Sequence, residues 1–250
     1  MTAYPAPAIV LDRISLDFAG KPLFHELSLR LDAGRTTCIL GPSGCGKSTL
    51  LKLIAGSTVQ PFCGTIRFEP PPPAGRLPVA WMGQNDLLLP WLPLLDNVLL
   101  GARLRHELSD PLRQQARQLI REAGLADYEQ ALPSALSGGM RQRGALLRTL
   151  MEERPVLLMD EPFSALDALT RVRLQNLAAR LTQGATVVLV THDPLEALRL
   201  GDVIVVLAGS PVQVAERLEP GGRPPREPGD PALAAQYAQL LGLLMNGEPA

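Results

Sequence analysis

Residues 41–49 read Gly41, Pro42, Ser43, Gly44, Cys45, Gly46, Lys47, Ser48 and Thr49, a run that matches G-x-x-x-x-G-K-[ST]. A short apolar strand over 37–40 precedes it, and a helix is expected over 48–55. Glycines let the backbone curl until successive N–H groups point inward, and the following helix adds the partial positive charge of its N-terminus. Such a loop cradles phosphate oxygens, with Lys47 reaching the β and γ phosphates and the Ser48 hydroxyl meeting Mg²⁺. The chain has only three lysines, Lys21, Lys47 and Lys52, so one at this position is informative. The motif alone fits kinases, GTPases and ATPases equally.

The surrounding pattern alternates strand and helix. Strands are expected over 9–18, 27–31, 79–82, 156–159, 187–191 and 203–207, and helices over 112–123, 169–181 and 233–245. The prolines in 69–75 exclude that stretch from a sheet interior. Alternating elements imply an α/β fold with a largely parallel sheet and crossover helices, interrupted by a helical insertion over about 86–153. The expected domain runs over 1–208, and the Pro- and Gly-rich residues of 209–250 read as a short C-terminal tail.

Composition removes several alternatives. At 250 residues and 46% apolar content the chain can bury one substantial core. A formal charge of −1 leaves no clustered basic surplus, so no nucleic-acid partner is expected. Residues 1–7 carry no basic n-region, which argues against a signal peptide. No apolar run approaches the roughly 18–20 residues of a membrane span. Cys38, Cys45 and Cys63 lack metal-ligand spacing and suggest a reducing compartment. A helix N-terminus and a nearby ammonium both favour thiolate, so Cys45 is expected to be the most reactive thiol, with Cys38 buried and Cys63 in a loop.

Two further motifs complete a site. Residues 156–161 form an apolar strand ending in Asp160 and Glu161, beside the phosphate loop in a parallel sheet. Asp160 suits the Mg²⁺ shell, and Glu161 can orient and deprotonate a water. Ser137, Gly138 and Gly139 precede a helix, which reads either as an N-cap or as a second anion site.

With Leu136–Gln142 lying between the phosphate loop and the carboxylate strand, residues 9–208 resemble the nucleotide-binding subunits of ABC transporters. The resemblance implies a P-loop NTPase (RecA-like) core with an N-terminal antiparallel β subdomain and an inserted α-helical subdomain. It implies ATP and Mg²⁺ as ligands and a homodimer in which Ser137 and Gly139 face the γ-phosphate held by the partner's Lys47. Phe18 falls where the family stacks an aromatic on adenine. Gln84 matches the glutamine that senses Mg²⁺ and the attacking water, Asp167 the loop that couples the two sites, and His192 the histidine that contacts the γ-phosphate.

The stretch 87–98, with Pro90, Trp91 and Pro93, is similar to importer subunits of the nitrate/sulfonate/taurine group, which also includes carriers of thiamine-precursor pyrimidines. That resemblance implies integral-membrane permease subunits, a periplasmic or lipid-anchored solute-binding protein reached through the permease, and a peripheral place on the cytoplasmic face of the membrane. Too many large apolar residues sit together there for one small subdomain, which suggests an interface. Gly144 and Gly201 depart from the family's usual wording, Gly144 where a better helix former is expected. The rivals are an ABC-family ATPase acting on a macromolecular complex and a small-molecule kinase; the latter has no use for Ser137–Gly139 or Glu161.

Overall fold

The strands of the central sheet are apolar at nearly every position because both of its faces are covered. The structure, a computed structural model, describes residues 5–73 and 78–246. Its larger sheet has the order β5(Val79–Met82), β6(Val156–Asp160), β7(Thr186–Val190), β3(Thr36–Leu40), β8(Val203–Ala208), β9(Gln213–Leu218). The first five run parallel, and β9 closes one edge antiparallel to β8. Successive side chains point to opposite faces of a strand. Cys38, Leu40, Leu157, Met159, Leu189 and Val206 therefore join one buried cluster, while Ile39, Leu158, Val188, Val190, Val205 and Leu207 join the other.

The second cluster lies under α1(Lys47–Ile54) and a three-stranded antiparallel sheet, in which β1(Ala8–Phe18) pairs with both β2(Lys21–Leu31) and β4(Cys63–Glu69). β2 begins six residues before the expected strand, because Lys21, Pro22 and His25–Glu26 leave its first half without clear alternation. β4 was not expected. Only Ile66, Phe68 and Glu69 along it are even half buried, so its sequence carries little periodic signal. The proline loop contains no strand over 70–73, and residues 74–75 lie outside the described residues, as do 1–4 of the N-terminal stretch.

Between β5 and β6 the chain builds the expected helical insertion from α2(Leu94–Val98), α3(Leu100–Leu104), α4(Asp110–Glu122) and α5(Gly138–Leu150). Gly144 is explained by the packing of α5 on α2: a Cβ there would stand 2.7 Å from Leu94 Cδ1. A better helix former would have to displace the end of the Leu94 side chain.

After β6 come α6(Ala168–Leu181) and α7(Pro194–Leu200). Residues 209–246, read in the sequence as part of a tail, supply two elements of the fold, and 247–250 lie outside the described residues. The two are β9 and then α8(Pro231–Asn246), whose Leu233 and Leu240 are buried in the first cluster. The connection is held by Arg226, 6% exposed. Its guanidinium donates to the carbonyls of Leu198 and Gly201 at the end of α7 and to those of Pro220, Gly221 and Gly222. Buried carbonyls at a helix C-terminus need donors, and here a distant arginine provides them.

Candidate nucleotide site

Parallel registry brings the functional residues to one edge of the sheet. Met82 pairs with Met159, Met159 with Leu189, and Leu189 with Cys38. Two residues further along each strand stand Gln84, Glu161, Thr191 and Leu40, level with one another at the carboxyl ends, where open α/β sheets form ligand sites.

From Leu40 the chain enters the loop 41–46 and then α1. Gly46 caps α1 with φ +90°, a left-handed conformation that disfavours a side chain. Lys47 is 8% exposed, and its Nζ donates to the carbonyls of Gly41 and Pro42, both at 2.7 Å. The loop thus curls around the ammonium, and Cys45 N–H closes it onto Pro42 O at 3.3 Å. Cys45 is half-buried, with its sulfur 3.9 Å from Lys47 Nζ. It packs with Leu23 against the second cluster, beside Gly41. Burial pushes its thiol up despite the pull of Lys47, which corrects the expectation of a favoured thiolate. Cys38 is buried, as expected, whereas Cys63 is exposed but opens β4 rather than lying in a loop.

Asp160 ends β6, 4% exposed and hydrogen-bonded to Ser48. Burial raises its carboxyl, the Ser48 hydroxyl lowers it, and Glu161 raises it again, while Lys47 and Lys52 pull it down. A hydroxyl and a carboxylate held together are hard oxygen donors of the kind Mg²⁺ takes, so these two residues fit that ion. Gln84 is exposed, just past the end of β5. The segment after it is tied to α5, since Arg141 pairs with Asp86 at 3.0 Å and Arg148 donates to the carbonyls of Asp86 and Leu87.

Glu161 takes φ +50° with its N–H donating to Val190 O at 2.9 Å. His192 lies one residue past Thr191, its Nδ1 3.3 Å from Glu161 Oε1.

Ser137 caps α5 by accepting from Met140 N–H at 3.3 Å. A Cβ on Gly139 would lie 2.9 Å from Ala165 O, so the start of α5 sits against the 164–167 segment. Asp167 caps α6, accepting from Thr170 N–H at 3.0 Å, a bond that lowers its carboxyl. Phe18 stands at the end of β1, 53% exposed and opposite Lys21, so it is no part of the core.

Sequence reading assigned no role to Gln142 or Asn97. Gln142 shares a face of α5 with Ala145, Leu146 and Thr149, all buried. A polar residue on a buried helical stripe needs a buried partner, which is the signal that could have singled it out. Asn97 is fully buried and binds the backbone of Leu89, Leu92 and Pro93 with both ends of its amide. It folds the 89–93 loop so that Trp91 points outward, 70% exposed, with Leu87 60% exposed nearby in sequence. Among the described residues, no helix is long and apolar enough to cross a membrane.

Residues 24–164 match the sequence profile of the family described as ABC transporter. The chain is 43% identical over 232 residues to an uncharacterized ABC transporter ATP-binding protein of Haemophilus influenzae, covering 91% of this chain and 95% of the relative. It is 42% identical over 228 residues to an aliphatic sulfonates import ATP-binding protein of Pseudomonas syringae pv. syringae, covering 90% of each. A protein of the same description from Rhodococcus jostii is 44% identical over 230 residues, with 91% and 89% covered. Among solved structures, a dimeric ATP-binding cassette in a post-hydrolysis state with ADP and Pi superimposes with a TM-score of 0.74 at 28% identity, over 86% of this chain and all of that one. The glycine loop, the carboxylate strand and the Ser137 helix thus lie in a chain that belongs to the family of ABC transporter ATP-binding subunits, with the ATP-binding cassette fold.

Proposed function

We propose that this chain is the ATPase of an importer for a small oxyanionic solute of the aliphatic sulfonate type, working on a separate membrane permease. The observation that carries the enzymatic reading is Glu161, held at the sheet's carboxyl edge beside His192 and next to the Ser48–Asp160 pair. The names of the curated relatives support the solute class.

In this reading backbone N–H groups along the 43–49 segment and Lys47 hold the phosphates of ATP, and Phe18 stacks on the adenine. Ser48, Asp160 and Gln84 would hold Mg²⁺, which would supply positive charge against the phosphates. Glu161 takes a proton from a water as its oxygen attacks the γ-phosphorus and the bond to the β–γ bridging oxygen breaks. Lys47 and His192 face the charge that develops. Ser137, Gly138 and Gly139 bind the γ-phosphate held by a second copy of the chain, and Asp167 links the two sites. The dimeric state of the solved cassette supports that pairing.

The permease docks on the surface around Gln84, Pro90 and Trp91. An outward tryptophan on a loop pinned by a buried asparagine is a preorganised anchor. A solute-binding protein delivers the cargo to the permease from the far side, and the chain itself sits on the cytoplasmic face.

The test is composite activity. ATPase activity per chain should rise with protein concentration, and mixing Lys47→Ala with Ser137→Ala chains should restore hydrolysis that neither shows alone. Constant activity on dilution, with no rescue, would mean self-contained sites and would sink the dimer reading.

A further inference from the structure

One contact from α5 reaches away from its Ser137 end. Gln142, 7% exposed, uses both ends of its amide on the segment that follows β6. Its Nε2 donates to Glu161 O at 2.8 Å and to Ser164 Oγ at 3.1 Å, and its Oε1 accepts from Ala165 N–H at 2.8 Å. Ser164 Oγ in turn donates to the same Glu161 carbonyl at 3.1 Å.

These bonds act on a strained residue. With φ +50°, Glu161 sits in the left-handed region, which is disfavoured for a residue bearing a Cβ. Such a conformation persists only where the surroundings impose it. Val190 O holds the N–H of Glu161, while Gln142 and Ser164 hold its carbonyl. Removing Gln142 frees the Ser164 hydroxyl as well, because the amide fixes both. The peptide can then relax, and the carboxylate turns with it.

We infer that Gln142 is a positioning residue for Glu161 of its own subunit, so that α5 connects the two composite sites of the dimer. The first turn of α5 faces the nucleotide on the partner, whereas its second turn sets the carboxylate that acts on the nucleotide of its own chain. From Ser137 to Gln142 the helix rises only about 7.5 Å. A shift of α5 on capturing the partner's γ-phosphate is carried rigidly to Glu161. The inference rests on the composite-site reading proposed above.

The experiment uses the mixed dimer. Lys47→Ala and Ser137→Ala chains together leave one intact site, built on Lys47 and Glu161 of the Ser137→Ala chain and on Ser137 of the other. Gln142→Ala is then placed on one chain or the other. On the Ser137→Ala chain, whose Glu161 acts, it should lower kcat about 10²-fold, the loss expected of a misplacement near 1 Å, with KM for ATP within about twofold. On the Lys47→Ala chain it should hold the rate of the parent mixture, because Glu161 of that chain has no phosphate to act on. Gln142→Met, similar in length but without any of the three hydrogen bonds, should show the same dependence on placement. The reverse pattern would tie Gln142 to Ser137 instead, and equal losses or none from both placements would leave only a structural role; each overturns the inference. A parent mixture with no activity of its own would overturn the composite reading first, and the inference with it.

Discussion

His192 Nδ1 lies 3.3 Å from Glu161 Oε1, and the two side chains differ sharply in exposure, 62% against 22%. The exposed imidazole is free to meet a phosphate, while the half-buried carboxylate is held in place from behind. Glu161→Gln keeps that shape and removes the base. Its kcat should fall by about 10²–10⁴. ATP binding should survive, so gel filtration with MgATP should show an accumulated dimer. A variant that stays monomeric and turns over at the wild-type rate would remove Glu161 as the base.

Glu196 makes the fold sensitive to pH. It is 5% exposed, and burial raises its carboxyl to about 7; Thr191 and Gln175 oppose the shift through hydrogen bonds, Asp193 adds to it and Arg171 opposes it. An unfolded Glu titrates near 4.3. Between these values the folded protein holds a proton that the unfolded chain has lost, so stability falls as pH rises from about 4.3 to about 7 and stays low above that. Glu196→Gln removes the cost of burying the charge. In urea unfolding it should match wild type near pH 4.5 and exceed it near pH 8.5 by roughly 1–3 kcal/mol. Equal stability at both pH values would refute the assignment.

Arg226 should matter to stability and not to catalysis. Its guanidinium serves carbonyls of Leu198, Gly201, Pro220, Gly221 and Gly222, none of them at the nucleotide edge. Arg226→Met leaves buried acceptors without donors, at about 1–3 kcal/mol each where water cannot enter, and a total near 3 kcal/mol is expected. Arg226→Lys should recover little, since a compact ammonium cannot reproduce the fork. Urea midpoints should drop for both, with KM for ATP unchanged in the folded fraction.

Thiol labelling should follow exposure rather than proximity to Lys47. Cys63 is exposed, Cys45 is half-buried against the second cluster and Cys38 is buried. At neutral pH a maleimide should modify Cys63 at least about tenfold faster than Cys45, with Cys38 unreacted in the native state. The fast phase should leave ATPase activity intact, and Cys45→Ser should alter only the slow one. Peptide mass spectrometry over time distinguishes the phases; inactivation in step with the fast phase would restore Cys45 as the reactive thiol.

The sequence by itself determined whatever is written in contiguous residues. The loop 41–49 is a local structure, with glycines where the backbone must curl and Lys47 five residues after Pro42, whose carbonyl it meets. The central strands were legible because burial on both faces demands unbroken apolar runs such as residues 156–159. Tertiary structure alone decided features that depend on what lies opposite. β4 and β9 are half-covered edge strands, so no full apolar face marks them, and β9 becomes a strand only because β8 offers it an open edge. Arg226 reads as one arginine in a polar tail until the end of α7 arrives with its unsatisfied carbonyls. The local surroundings of Cys45 point to a thiolate, and burial against the second cluster reverses that. Gln142 meets Glu161 across 19 residues of chain. Hydrogen bonds between distant segments are set by how helices and sheet pack, and packing geometry is not encoded in the spacing of any one segment.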